Sequence, residues 1–359
     1  MQQGRQTRGP SWRFRRGLHW AAAIAVSGVC LWLTLRQIHW SDVGGSFAQL
    51  DAPLLVLGVA AVLATTVTKA ARWQLLLRHA NIHTSSWRAI RILVIGQMGN
   101  SFLPARLGDL ARAALLRRQA PNGAAAALGT VAAEKILDGI VGMIVVMYLA
   151  AARHLPAWLR WPSYAIAALT AVLLAFLVLA LVSPRRSNSV HATFPHQMHL
   201  RSRAESTVFA LARKRLSDLS LRFLHGLSVL ARPSAFVAGL VLSVTVWGLG
   251  IATNQMILTA TRVHVPIWTN MLVLIAVYLA TFLPAAPAQI GVFEYACLMA
   301  VGTAAVPAEQ ALTFGLLLHV VVYAPPALLG PVFTTVEGLR WSSLRISQPD
   351  AGPGKTRGR

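Results

Sequence analysis

Glu134 and Asp138 stand four residues apart in an apolar run over 122–151, a spacing that puts two carboxylates on one face of a helix. The chain has only 11 acidic residues, so each can be given a place. Asp42, Asp51, Glu205, Asp218, Glu337 and Asp350 fall in loops or tails, and Glu309 opens a helix, where a carboxylate offsets the N-terminal dipole. Asp109, Glu134, Asp138 and Glu294 remain in apolar surroundings. An ionised group at membrane depth costs at least about 2.5 kcal/mol, so each should be paired or functional. Lys69 and Arg72, in the apolar run 53–77, are the partners that position offers to Glu134 and Asp138. Two readings stay open: an ion-pair network that joins helices, and a polar cavity that handles a charged headgroup or couples a proton. His319 falls near the place in the last run that Glu134 holds earlier, and reads as a hydrogen-bonded packing residue. His191, His196 and His199 are spaced too loosely for a metal site, and no hydrolase, zinc or phosphate-loop motif occurs. The sequence therefore calls for no catalytic residue, metal or cofactor.

The elements that must position these groups are membrane helices. Of the 359 residues 55% are hydrophobic and 12% charged, against about a quarter charged in soluble domains. Apolar runs recur at 18–35, 53–77, 90–104, 122–151, 162–183, 236–260, 268–284, 288–303 and 309–336. Several reach the roughly 20 residues needed to cross a bilayer. The net charge of +22 lies between the runs, mostly as arginine, which points to topology and anionic headgroups instead of nucleic acid. Cys30 and Cys297 fall inside apolar runs and read as small core residues. Arg5, Arg8, Arg13, Arg15 and Arg16 precede the first run, so residues 1–16 read as a cytoplasmic tail before an uncleaved first spanning helix.

Segment 90–104 is too short to cross, and crossing would put Arg106, Arg112, Arg117 and Arg118 outside. A re-entrant hairpin from the inner face satisfies both length and charge. Irregular backbone at that depth is tolerated only in protein or beside a wet cavity, which marks the hairpin as a candidate site. From Val263 to Ala308 there is no lysine or arginine, apart from which two short runs are broken by Pro284-Ala285-Ala286-Pro287, as expected of a second hairpin entering from outside. Between the halves, 184–234 is basic, and from Ala204 to Leu230 its apolar residues recur at helical spacing, as in an amphipathic helix on the inner leaflet or a solvated linker.

The halves share residues. Ile82-His83 and Trp87 match Val263-His264 and Trp268, and Phe102-Leu103-Pro104-Ala105 matches Phe282-Leu283-Pro284-Ala285, at spacings of 181 and 180 residues. Each unit reads as spanning helix, broken hairpin, spanning helix. The first covers about 53–151 and the second about 236–336, within a membrane domain over 17–340 and ahead of a disordered basic tail over 341–359. The expected fold is all-α, with about six spanning helices, two re-entrant hairpins and an inverted internal repeat.

Arg72-Trp73, Gly96-x-x-x-Asn100-x-x-Leu103-Pro104-x-Arg106-x-Gly108-Asp109-x-x-Arg112, Glu134-Lys135-x-x-Asp138 and Leu283-Pro284-x-x-Pro287-x-x-Ile290-Gly291-x-x-Glu294 together resemble the lysylphosphatidylglycerol synthase transmembrane-region family over roughly residues 15–340. The resemblance implies a flippase-like membrane domain with paired hairpins. It departs from the family at Lys135, where arginine is frequent, and at Ala288, where glycine is usual. The family's two-domain synthases carry an aminoacyl-transferase domain, and this chain is expected to be the membrane domain alone.

The function expected is handling or translocation of a phospholipid or polyprenyl-phosphate-type lipid across the cell membrane, with both termini cytoplasmic. Membrane lipids, anionic ones first, are the expected partners, followed by lipid-biosynthesis enzymes. The alternatives are a non-transporting enzyme or accessory subunit of lipid, hopanoid or glycolipid biosynthesis, and a structural scaffold. Candidate headgroup residues are Arg72, Asn100, Arg106, Asp109, Arg112, Glu134, Asp138 and Glu294, with Arg106 and Arg112 foremost because guanidinium forks match phosphate oxygens. The hairpin tips are expected at Pro104, Gly108, Pro284, Pro287 and Gly291.

Overall fold

The computed structural model describes residues 11–39, 50–103, 106–116, 123–182 and 218–338. Every regular element among them is helical. Pro104, residues 1–10, the histidines at 191, 196 and 199, most of the basic linker and the tail over 341–359 lie outside the described residues.

The helices are α1 (Ser11–Leu35), α2 (Ala52–His79), α3 (Ser86–Phe102), α4 (Leu107–Leu116), α5 (Gly123–Ala151), α6 (Ala157–Val182), α7 (Pro233–Ala260), α8 (Ile267–Ala280), α9 (Val292–Gly302) and α10 (Ala308–Val336). Local sequence sets their ends. Asp51 accepts the Leu54 N–H at 3.2 Å to start α2, and Ser85 accepts that of Arg88 at 3.3 Å to start α3. Pro233 opens α7, where its missing N–H costs nothing. Two boundaries differ from the expectation. α1 begins inside the stretch read as a tail, and α6 starts at Ala157, so Pro162 lies within it and does not open it.

Four described helices are long and apolar enough to cross a membrane: α2, α7, α10 and the Ala157–Ala175 part of α6. α5 is as long as α10, at 29 residues, but carries Glu134, Lys135 and Asp138 at its middle. Val56, Leu57, Leu63 and Val67 of α2 and Val237, Val241 and Val244 of α7 are exposed. Aliphatic side chains cover this outer surface, the arrangement that hydrocarbon demands.

α2 and α7, each 28 residues, pack antiparallel. Asp51 N–H donates to the Ala260 carbonyl at 3.1 Å, Gly58 faces Ile257, and Leu76 faces Gly239. α3 follows the end of α2 and α8 follows the end of α7, so the two hairpins start at opposite ends of the bundle. α3 packs on α4 and α8 on α9. The tips touch: the Arg106 guanidinium donates to the Thr281 carbonyl at 3.0 Å and to its hydroxyl, and lies 4.5 Å from the centre of the Phe282 ring.

Each hairpin base is gripped by the other unit's last helix. Trp87 packs edge-on against Phe333 of α10, and Trp268 stacks on His154 just beyond α5, with centroids 5.8 and 4.6 Å apart. Arg88 and Arg91 add a clamp on Glu337, at 3.1 and 2.7 Å, that the reading of Glu337 as a loop residue had not anticipated. Residues 218–231 are helical and lie against α5, with Leu227, Val229 and Leu230 buried.

The second tip is the longer one and includes a 3-10 turn at Pro287–Gln289. Ala288 has φ 57°, a left-handed conformation in which a Cβ is strained, which gives the glycine usual there a physical reason. Ala288→Gly is therefore expected to raise stability by about 0.5–1 kcal/mol, read as a higher thermal midpoint in detergent micelles.

Candidate functional site

The first hairpin is closed by backbone contact. A Cβ at Gly108 would fall on the Gly96 carbonyl and within 2.7 Å of Asn100 Oδ1, so only glycine lets α4 lie against α3 here. That approach puts Asn100 beside Asp109. The Asn100 amide donates to Asp109 Oδ1 at 3.0 Å, and its own oxygen accepts the Asp109 N–H at 3.1 Å. One turn on, Arg112 points into the bundle, 4% exposed, with its guanidinium 4.1 Å from the centre of the Trp73 ring. Trp73 is fully buried and donates its indole N–H to Thr130 at 3.2 Å.

From Arg112 a chain of charges runs across the core. Arg112 Nη2 donates to Glu134 Oε2 at 2.8 Å, and Glu134 Oε1 lies 3.8 Å from Arg72 Nε. Arg72 forks onto Asp138 at 2.5 and 3.1 Å and also donates to Ser243 of α7 at 2.6 Å. At the other end Asp109 meets Arg112 and Lys135, both at 3.8 Å. The sequence Lys135, Asp109, Arg112, Glu134, Arg72, Asp138 alternates in sign and is neutral as a whole. Permanent charges can stay this deep because each carboxylate has a guanidinium.

Two cations are left over. Lys69 and Arg106 have no carboxylate within ion-pair distance among the described residues, and both line a cavity of about 410 Å³. The cavity sits where the two tips meet α2, α7 and α10. Its polar wall also includes Gln97, Asn100, Lys135, Asp138 and Gln289. Tyr278 and Tyr323 close it from α8 and α10.

Of the candidate residues named from sequence, Asn100, Arg106 and Asp138 face this cavity, whereas Arg72, Asp109, Arg112 and Glu134 form the supporting charge chain behind it. Arg112, expected foremost with Arg106, is spent on Glu134 and Trp73. Lys69, expected to pair with an acid, stands unpaired, and Arg112 holds Glu134 in its place. Glu294 belongs to a separate cluster: its Oε2 accepts the Gly291 N–H at 2.7 Å and its Oε1 meets His319 Nδ1. Gln289 and the two tyrosines were not picked out from sequence, since nothing in their spacing marks them as cavity residues. Among the described residues no group of His, Cys, Asp or Glu side chains is arranged to hold a metal ion.

The family profile described as "Lysylphosphatidylglycerol synthase TM region" matches residues 20–330. The chain belongs to that family. The match runs from within α1 to within α10 and so takes in both hairpins, the charge chain and the cavity. It identifies a multi-pass membrane protein of a family concerned with lipid handling. Neither curated proteins nor solved structures supply a match. Within the family's pattern, Arg72-Trp73 and Glu134-x-x-x-Asp138 supply the core of the charge chain, while Arg106 lines the cavity and bonds to Thr281.

Proposed function

We propose that this chain translocates a lipid with an anionic, phosphate-bearing headgroup across the cell membrane, using the cavity between the hairpin tips. In this reading six helices cross the bilayer, both termini are cytoplasmic, and the hairpins of an inverted repeat dip in from opposite faces. The observation that carries it is the pair of cations, Lys69 and Arg106, that meet no carboxylate within ion-pair distance among the described residues, in a cavity of about 410 Å³ whose remaining charges cancel. A cation at such depth is costly, and an anionic headgroup offsets that cost for as long as it occupies the cavity. The volume lies in the range of small-ligand sites, about 300–1,000 Å³, large enough for a headgroup while the acyl or prenyl chains remain outside. Arg106 offers a fork that fits phosphate oxygens, and Lys69 a point charge.

The family takes its name from a lipid whose esterified lysine makes the headgroup cationic. Two unpaired positive charges repel such a head, so the substrate assigned here is an unmodified anionic lipid.

In liposomes carrying the purified protein, fluorescent phosphatidylglycerol or phosphatidate is expected to lose its asymmetry faster than in empty vesicles, with lysylated phosphatidylglycerol unaffected. Equal rates with and without protein for every lipid would overturn translocation. Tight binding without transfer would favour an accessory role in lipid biosynthesis. The proposed orientation has its own check. His83 and His264 are exposed turn residues at equivalent places in the two units. Thiols introduced as His83→Cys and His264→Cys are expected to react with an impermeant reagent from the inner and the outer face respectively. Labelling of both from one face would sink the opposed-hairpin topology.

A further inference from the structure

Behind the second hairpin lies a cluster that the translocation reading leaves unused. At a spacing of 185 residues, Asp109, Arg112, Glu134 and Asp138 of the first unit correspond to Glu294, Cys297, His319 and Tyr323 of the second. In the first unit every carboxylate is held by an arginine, which keeps its proton under all physiological conditions. In the second unit the arginine is replaced by Cys297 and the partner acid by a histidine. A network of fixed charge has become one whose charge depends on a proton.

We propose that Glu294 and His319 form a proton-binding site that controls the tip of the second hairpin. Both side chains are nearly buried, at 5% and 9% exposure. His319 Nδ1 meets Glu294 Oε1, and the imidazole packs against Phe293 and Tyr323, with centroids 4.8 and 4.5 Å away. Phe293 and Tyr323 both line the cavity, so the pair sits one side chain behind its wall. With the imidazole neutral and its Nδ1–H directed at the carboxylate, the pair carries one negative charge. Uptake of a proton at Nε2 gives an imidazolium–carboxylate pair with none. No other bond is made or broken.

Other ionisable groups near the pair are few. α9 contributes Cys297, α10 Tyr323 and the first tip Arg106, while Cys30 of α1 and Tyr278 of α8 pack against the same apolar core. Lys69 of α2 stands beside Asp138, α7 has no ionisable side chain, and the arginines of α3 are engaged with Glu337. His319 is therefore the one group in the cluster whose ordinary titration range spans neutral pH.

The link to the tip is the second oxygen of Glu294, which accepts the Gly291 N–H at the start of α9. Gly291 has φ 87° and is seated on α1: a Cβ there would lie 2.5 Å from the Ser27 carbonyl oxygen. Ala286 N–H is fixed by Ser27 Oγ at 2.8 Å. Between these anchors Ala288 and Gln289 are both left-handed, and Gln289 Oε1 is buried without a partner while its side chain faces the cavity. A change of charge on the pair redistributes Glu294 between His319 and Gly291, at one end of a strained loop whose other face is the cavity wall. This adds a proton to the translocation reading, but the site is defined by its own residues and is tested without a lipid substrate.

The test uses the full chain in phosphatidylcholine nanodiscs with 15N-labelled histidine. The His319 signal, identified by its loss in both His319→Gln and His319→Asn, is expected to report uptake of a single proton as the sample is taken from about pH 8 to about pH 5. A spin label at the exposed position Ile290→Cys should change mobility with the same midpoint, and Glu294→Gln should shift both midpoints together. A His319 signal unchanged over this range overturns the proton site. Titration with no change at the label overturns its control of the tip. Either result stands whether or not the liposomes transfer lipid, so failure here is distinct from failure of translocation.

Discussion

Arg72→Met is expected to lower the stability of the protein by about 3–5 kcal/mol, seen as a thermal midpoint reduced by many degrees in detergent or as failure to accumulate in the membrane. The reason is the charge left behind. Arg72 is 2% exposed and binds Asp138 through two nitrogens, with Glu134 beyond it. Without the guanidinium, Asp138 keeps only Lys69 nearby, beyond ion-pair distance. Glu134 keeps Arg112 at 2.8 Å and is only partly exposed to the loss. Arg72→Met/Asp138→Asn should therefore recover most of the stability, because removing both members of a buried pair costs far less than removing one. Equal loss in the single and double variants would mean that Arg72 matters through packing on Ser243 and its helix neighbours. A loss below about 1 kcal/mol in the single variant would mean that the pair is solvated as a surface bridge is.

How much of this was legible beforehand follows from the rarity of charge in an apolar chain. Asp109, Glu134 and Asp138 stood out because an acid in such surroundings has to be paired, and Arg72 lay in the neighbouring run at a suitable depth. The same logic could not choose between Lys69 and Arg112 as the partner of Glu134. That choice depends on Gly108, whose missing side chain brings α4 onto α3 and turns Arg112 inward. Element type and order were readable from the lengths of the runs. The start of α6 was not, since Pro162 looks like a helix boundary and instead lies inside the helix. Nor was the meeting of the tips: no periodicity says that Arg106 ends on Thr281, about 175 residues away in the chain. His319 was read as a packing residue because a lone histidine carries no pattern. Its place near that of Glu134 was readable; its contact with Glu294 was not.

Lys69 and Arg106 carry the largest functional prediction. Arg106→Gln and Lys69→Gln are each expected to weaken binding of an anionic lipid by about 10-fold to 150-fold, the equivalent of about 1.5–3 kcal/mol for one charge-assisted hydrogen bond. Thermal stability should change little, since neither cation has an acidic partner to strand. Arg106 gives up its bonds to Thr281 and its contact with the Phe282 ring. Arg106→Lys separates charge from geometry. It keeps the positive charge but loses the fork, so it should fall between the wild type and Arg106→Gln if the headgroup is a phosphate held through two oxygens. Lys69→Glu goes further and cancels the excess: with Arg106 as the one remaining unpaired cation, the cavity becomes neutral overall. That variant should lose selectivity for phosphatidylglycerol over phosphatidylcholine, and Lys69→Glu/Arg106→Glu should come to prefer the lysylated lipid. Affinities measured by fluorescence quenching on the purified variants decide the point. If all five bind phosphatidylglycerol as the wild type does, the two cations belong to the architecture of the tips and the anionic-headgroup site lies elsewhere.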